Sequence, residues 1–126
     1  MNIKKLGDAE LDIMEVLWSS SEPLTSGYIL DRIRPIRDWA LSTLMATLSR
    51  LAEKGFVYCD RTTRTNYYSA IITAEEYRRS EGTSFIRKIY GGSVKRLVAS
   101  LYDCHELSDN DIAELRAYLD ELERKD

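Results

Sequence analysis

The sequence predicts a mainly α-helical fold with one small β-hairpin, a winged helix-turn-helix over 1–72 followed by a helical region over 73–126. Three observations carry this. Apolar residues recur at helical spacing three times before Gly55. Two short β-rich runs then flank a polar turn. Everything after Thr73 returns to helical spacing, with no further strand to cover it.

Taken in order, Asp8 precedes a helix whose Ala9, Ile13, Val16 and Leu17 share a face, with Met14 and Trp18 beside them. Asp8 is the expected cap, because its carboxylate can accept the free amides of the first turn. Pro23 cannot continue this helix. Thr25 or Ser26 caps a short second helix carrying Tyr28, Ile29, Leu30 and Ile33. Pro35 closes it, and Arg34 is expected to be extended because a proline follows. The third helix runs from Leu41 to Lys54, with Leu44, Leu48 and Leu51 as a narrow apolar stripe. Gly55 stands where a left-handed cap is wanted. Thr43, Ala46, Thr47 and Arg50 are expected on the opposite, outward face.

Phe56–Arg61 and Tyr67–Ile72 read as two strands joined by the polar turn Thr62–Asn66. Thr73 and Glu76 fit a capping box for a helix over Ala74–Tyr90, in which Gly82 is a weak point costing about 1 kcal/mol against alanine. Gly91-Gly92 breaks the chain. Ser93 opens a helix with Val94, Leu97, Val98 and Leu101 on one side. Ser108 and Asp111 open the last one, with Ile112, Leu115, Leu119 and Leu122 on one face.

Composition bounds the function. The chain has 126 residues, 44% of them hydrophobic, which suits a packed fold rather than a disordered one. Neither a secretory leader at Met1–Leu6 nor an apolar run of membrane length is visible, so a cytoplasmic protein that does not enter the membrane is expected. Cys59, Cys104 and the single histidine, His105, do not make a metal-ligand pattern, so neither metal nor cofactor is expected. They also leave no acid–base or nucleophile constellation, so an enzyme is not expected. The net charge of −3 is unevenly spread: Met1–Ile72 is neutral, Thr73–Tyr102 is +3 and Asp103–Asp126 is −6. Within Asp31–Tyr67, seven basic residues face four acidic ones, enough for a modest positive surface.

Three helices and a hairpin in this order suggest DNA. The third helix would enter the major groove and offer Ser42, Thr43, Ala46, Thr47 and Arg50 to base edges. Arg61 and Arg64 at the hairpin would lie over the sugar-phosphate backbone, and the amides near Thr25 would hold a phosphate. A second reading stands beside this one: a winged-helix protein-interaction module that never touches DNA. An apolar outer face on the third helix would favour it.

Several segments resemble one family. They are Leu6-Gly7-Asp8-Ala9-Glu10-Leu11-Asp12-Ile13-Met14 with Trp18, and Thr43-Leu44-Met45-Ala46-Thr47-Leu48-Ser49-Arg50-Leu51 with Glu53-Lys54-Gly55. Further on are Arg64 before Tyr67-Tyr68, Ser84-Phe85 with Tyr90-Gly91-Gly92-Ser93, and Leu107-Ser108. Together they resemble the penicillinase-repressor family of winged-helix transcriptional repressors, from about Leu6 to Glu123. The resemblance implies a homodimer on an inverted-repeat operator in double-stranded DNA, with Leu41–Lys54 as recognition helix, Phe56–Ile72 as wing and Thr73 onward for dimerisation. The apolar positions Phe85, Ile89, Val94, Leu97, Leu101, Ile112, Leu115, Leu119 and Leu122 are the expected dimerisation residues. Release by an inducer or an anti-repressor protease is implied too. Relatives cleaved between asparagine and phenylalanine match Ser100-Leu101 here, and the cysteine cluster of copper-responsive relatives has no counterpart in Leu107–Asp126. Both departures disfavour those two modes of induction.

Overall fold

A computed structural model describes residues 3–125. Met1, Asn2 and Asp126, which enter the readings of the amino terminus and the acidic tail, lie outside them. The chain divides into two compact units, up to Glu81 and from Gly82 onward, and the division falls inside a helix.

The first unit contains α1 (Asp8–Trp18), β1 (Leu24–Thr25), α2 (Ser26–Ile33), α3 (Leu41–Glu53), β2 (Val57–Asp60), β3 (Tyr67–Ala70) and the start of α4 (Ala74–Tyr90). Its core is formed where the three apolar stripes meet. Ile13, Met14 and Leu17 of α1, Ile29, Leu30 and Ile33 of α2, and Leu44, Leu48 and Leu51 of α3 are buried together with Phe56 and Val57. The third helix ends as the sequence predicts: Gly55 has φ +85°, and the Phe56 amide returns to the Leu51 carbonyl at 2.9 Å. That turn delivers Phe56 into the core and starts β2.

Several local expectations are corrected. Asp8 is the first helical residue, not the cap. Gly7 takes the cap position, and its amide donates to Glu10 Oε1 at 2.8 Å. Thr25, rather than Ser26, caps α2, its Oγ1 accepting the Tyr28 amide at 3.2 Å. Arg34 is helical, with φ −52° and ψ −39°, despite the proline after it. The Ile36 and Arg37 amides both bond the Ile33 carbonyl, so the chain makes one more turn, and these bonds outweigh the pre-proline preference. The hairpin is one part of a three-stranded antiparallel sheet of order β1-β3-β2. Leu24 pairs with Tyr68 and Thr25 with Tyr67, which pins α2 to the wing. A two-residue strand has no periodicity to betray it.

The capping box on α4 forms as expected, with Thr73 and Glu76 each accepting the other's amide at 3.0–3.1 Å. Tyr77, one turn in, is buried against Trp18 and Phe56, and its hydroxyl accepts the Leu6 amide at 3.0 Å. Trp18 Nε1 donates to the Ile72 carbonyl at 2.9 Å. The first turns of α4 thus belong to the core of the first unit.

The second unit holds the rest of α4, α5 (Val94–Asp103) and α6 (Asp109–Arg124). Ser93 and Ser108 cap α5 and α6 as the sequence predicts. The lone histidine, His105, has φ +63° and closes α5: the Glu106 amide reaches back to the Leu101 carbonyl at 2.9 Å. Its part is a backbone one. Among the described residues, no helix is long and apolar enough to cross a membrane.

Candidate nucleic-acid interface

The candidate interface is built on α3 and the wing. The stripe that packs α3 into the core fixes which residues point away from it. Ser42, Thr43, Ala46 and Arg50 are exposed on the outer side, and Ser49 and Glu53, which the sequence reading did not single out, join them. Ala40, at the start of α3, has no side chain able to cap the helix, so the first-turn amides are not covered from that position.

Thr47 departs from expectation. It is 1% exposed, so it does not share the outward face with Thr43, Ala46 and Arg50. At about 100° per residue it lies ~40° from Leu51, which places it on the flank of the apolar stripe. Its Oγ1 donates to the Thr43 carbonyl at 2.9 Å and accepts Arg50 Nη2 at 3.2 Å. Direct contact between Thr47 and a base is therefore withdrawn.

The wing turn is held locally. Asp60 Oδ1 accepts the Thr62 amide at 2.9 Å and its hydroxyl at 2.7 Å, and these bonds hold the carboxyl below its ordinary value. Arg61 and Arg64 are exposed on this turn. Thr25 is half-buried, and its oxygen already serves the α2 cap.

Charge on this side is thinner than the count of basic residues implied. Arg37 Nε is bound to Asp12 Oδ2 at 2.7 Å, and Lys54 Nζ to both oxygens of Glu10 at 2.7 and 2.9 Å. Burial pushes the Glu10 carboxyl up, but the Gly7 amide and the Lys54 ammonium overcome this and leave it below its ordinary value of 4.5. These pairs fix α1 against the end of α3 and against the α2–α3 connection. Arg32, Arg34, Arg50, Arg61 and Arg64 remain exposed. Arg32 lies 5.9 Å from the centre of the exposed Tyr28 ring. This pairing has no signature in the sequence, where Tyr28 reads as apolar content of α2 and Arg32 as a charge.

In the second unit, Phe85, Ile89, Val94, Leu115, Leu119 and Leu122 are exposed, while Leu97, Leu101 and Ile112 are half-buried. Cys59 is a half-buried thiol and Cys104 an exposed one.

A family model described as penicillinase repressor matches residues 6–121. The chain belongs to the penicillinase-repressor family. Proteins of this family are DNA-binding transcriptional repressors and not enzymes. The chain is 26% identical over 115 residues to the methicillin resistance regulatory protein MecI of Mammaliicoccus sciuri, covering 91% of this chain and 93% of that one. It is also similar to the solved DNA-binding domain of the repressor BlaI, with a TM-score of 0.53 and 26% identity over 60% of this chain and 92% of that domain. A complex of monomeric Bacillus licheniformis BlaI with the blaP half-operator matches at a TM-score of 0.52, with the same identity and coverage. The winged-helix class read from the sequence is that of these relatives.

Proposed function

We propose that this repressor reads an inverted-repeat operator in double-stranded DNA as a homodimer in the cytoplasm. The observation that carries the DNA reading is the outer side of α3, where Arg50 is exposed among Ser42, Thr43 and Ala46. Short side chains let the helix backbone approach base edges, and one guanidinium can bond a guanine in two places. Arg61 and Arg64 supply phosphate contacts from the wing, and the amide end of α2 beside Thr25 supplies another. A protein-interaction module would want an apolar surface where α3 instead carries hydroxyls and charge.

The dimer rests on the second unit. Its helices α5 and α6 have no fully buried residue among the described ones, and Ile89, Val94 and Leu119 are 63%, 62% and 49% exposed. A second copy supplies the same faces in reverse and closes a two-fold interface. BlaI of Bacillus licheniformis meets a half-operator as a monomer; two copies of this chain would then take the two halves of one site. Release would come from an inducer or an anti-repressor protease, the latter disfavoured by the departure at Ser100-Leu101. Ser100 and Leu101, at the place where some relatives are cut, lie inside helix α5.

The test is selection of bound duplexes from random-sequence DNA, followed by gel shift. Arg50→Ala should cost on the order of 1–3 kcal/mol at one base pair and flatten the preference there. Arg64→Ala should weaken all duplexes alike and lower the salt slope by about one. Parent-like behaviour of both variants sinks the assignment of this face.

A further inference from the structure

Thr47 is out of keeping with its surroundings. It stands beside Leu44, Leu48 and Leu51 and is as buried as they are. An aliphatic side chain would fill this place with no polar group to satisfy, whereas a buried hydroxyl needs partners. Its proton goes to the Thr43 carbonyl at 2.9 Å. That carbonyl is already an acceptor in the helix ladder, so the bond adds little to α3 itself. Its consequence is directional. With the proton committed to Thr43, the hydroxyl can present only lone pairs to its other neighbour, Arg50, whose Nη2 lies at 3.2 Å.

The charge of Glu10 reaches Arg50, but among the described residues Arg50 makes no ion pair. Both Glu10 oxygens are occupied by Lys54, and one also accepts the Gly7 amide. The guanidinium is therefore left to Thr47. One of its five donors is used there, and the rest remain for a ligand. An unanchored arginine would sample many rotamers and lose that freedom on binding.

We propose that Thr47 is a positioning residue: it sets the Arg50 guanidinium in the free protein for the base edge that Arg50 reads, without touching DNA. This rests on the reading of α3 as the base-reading helix, and the test separates the two claims. The full chain selects its preferred duplex from random-sequence DNA, and binding to that duplex and to its single-base variants is then measured. Thr47→Val keeps the shape and removes the hydroxyl, Thr47→Ser keeps the hydroxyl, and Arg50→Ala removes the reader. Thr47→Val should lower discrimination about three- to tenfold at the base pair that Arg50→Ala flattens, with a melting temperature no lower than that of the parent. Thr47→Ser should discriminate like the parent. In the Arg50→Ala background, Thr47→Val should change nothing further. If Thr47→Val discriminates like the parent while Arg50→Ala is impaired, positioning is overturned and the base-reading helix stands. Uniform weakening by Thr47→Val with a lower melting temperature would mean a merely structural hydroxyl, and also overturns it. If Arg50→Ala itself discriminates like the parent, both claims fall.

Discussion

The three helices before Gly55 and the three after Thr73 carry apolar stripes of similar spacing, yet only the first set closes on itself. Every buried apolar side chain among the described residues lies between Leu6 and Tyr77, and α5 and α6 have none. The difference does not lie in amphipathicity. It lies in what the chain supplies opposite each stripe. Helices α1, α2 and α3 face one another, and the turn at Gly55 brings Phe56 and Val57 in behind them. The second unit has helices but no sheet, and its own helices leave Ile89, Val94 and Leu119 in water. An amphipathic helix is a demand for a partner, and in this chain one region meets it internally while the other leaves apolar side chains exposed.

The sharpest way to break that comparison is to charge the open face. Leu115→Asp should convert the proposed dimer into a monomer, with an expected loss of at least about a hundredfold in the association constant, since a carboxylate would be taken from water into an apolar interface. Sedimentation across a concentration series reads this out directly. Helix content and the melting of the first unit should change little. A dimer that persists would move the interface away from α6.

Next in size is the closed side. Lys54→Met leaves the 7%-exposed Glu10 with only the Gly7 amide, and should cost on the order of 3 kcal/mol in urea unfolding at neutral pH. The pair also sets an acid limit. The folded-state value of Glu10 lies below its ordinary 4.5, so its stabilising contribution is complete above about pH 4.5. That contribution is lost as pH falls through the lower folded value, because the unfolded chain takes up the proton first. Glu10→Gln should remove this part of the acid sensitivity while lowering stability at pH 7. An unchanged slope of stability against pH between 5 and 3 would show that the pair is not the acid-sensitive element.

How far these features could be read in advance follows the range of the interactions. Helix ends were legible where one residue decides them: Gly55, the Thr73–Glu76 box, Ser93 and Ser108 all act within a turn. Interactions across many residues were not. Nothing near Leu24 announces pairing with Tyr68, and nothing near Glu10 announces Lys54, because those partners exist only once the fold has formed. Arg34 shows a local rule yielding to two hydrogen bonds made by the following turn. On α3 the exposed positions Ser42, Thr43, Ala46 and Arg50 followed from the helical period. Thr47 did not: the helical wheel groups it with Thr43, Ala46 and Arg50, although its angle lies only ~40° from Leu51.

The smallest effect lies where the two regions meet. The division falls between Glu81 and Gly82, in the middle of the 17-residue helix α4. Gly82 is exposed, and a Cβ built on it would have no atom within 4 Å, so the site has room for alanine without any repacking. Glycine at a helix interior is worth about 1 kcal/mol less than alanine, through the freedom it keeps in the unfolded chain. Gly82→Ala should therefore raise stability by about 0.5–1 kcal/mol. If the two regions unfold as separate transitions, the variant should draw them together, because a stiffer α4 couples the closed core around Tyr77 to the helices beyond it. Differential scanning calorimetry resolves this. A gain in stability with the transitions still apart would mean that helix propensity at position 82 does not couple the two regions, and that the contrast between them comes from packing alone. A loss of stability would overturn the expectation that the open space at position 82 takes a Cβ without cost.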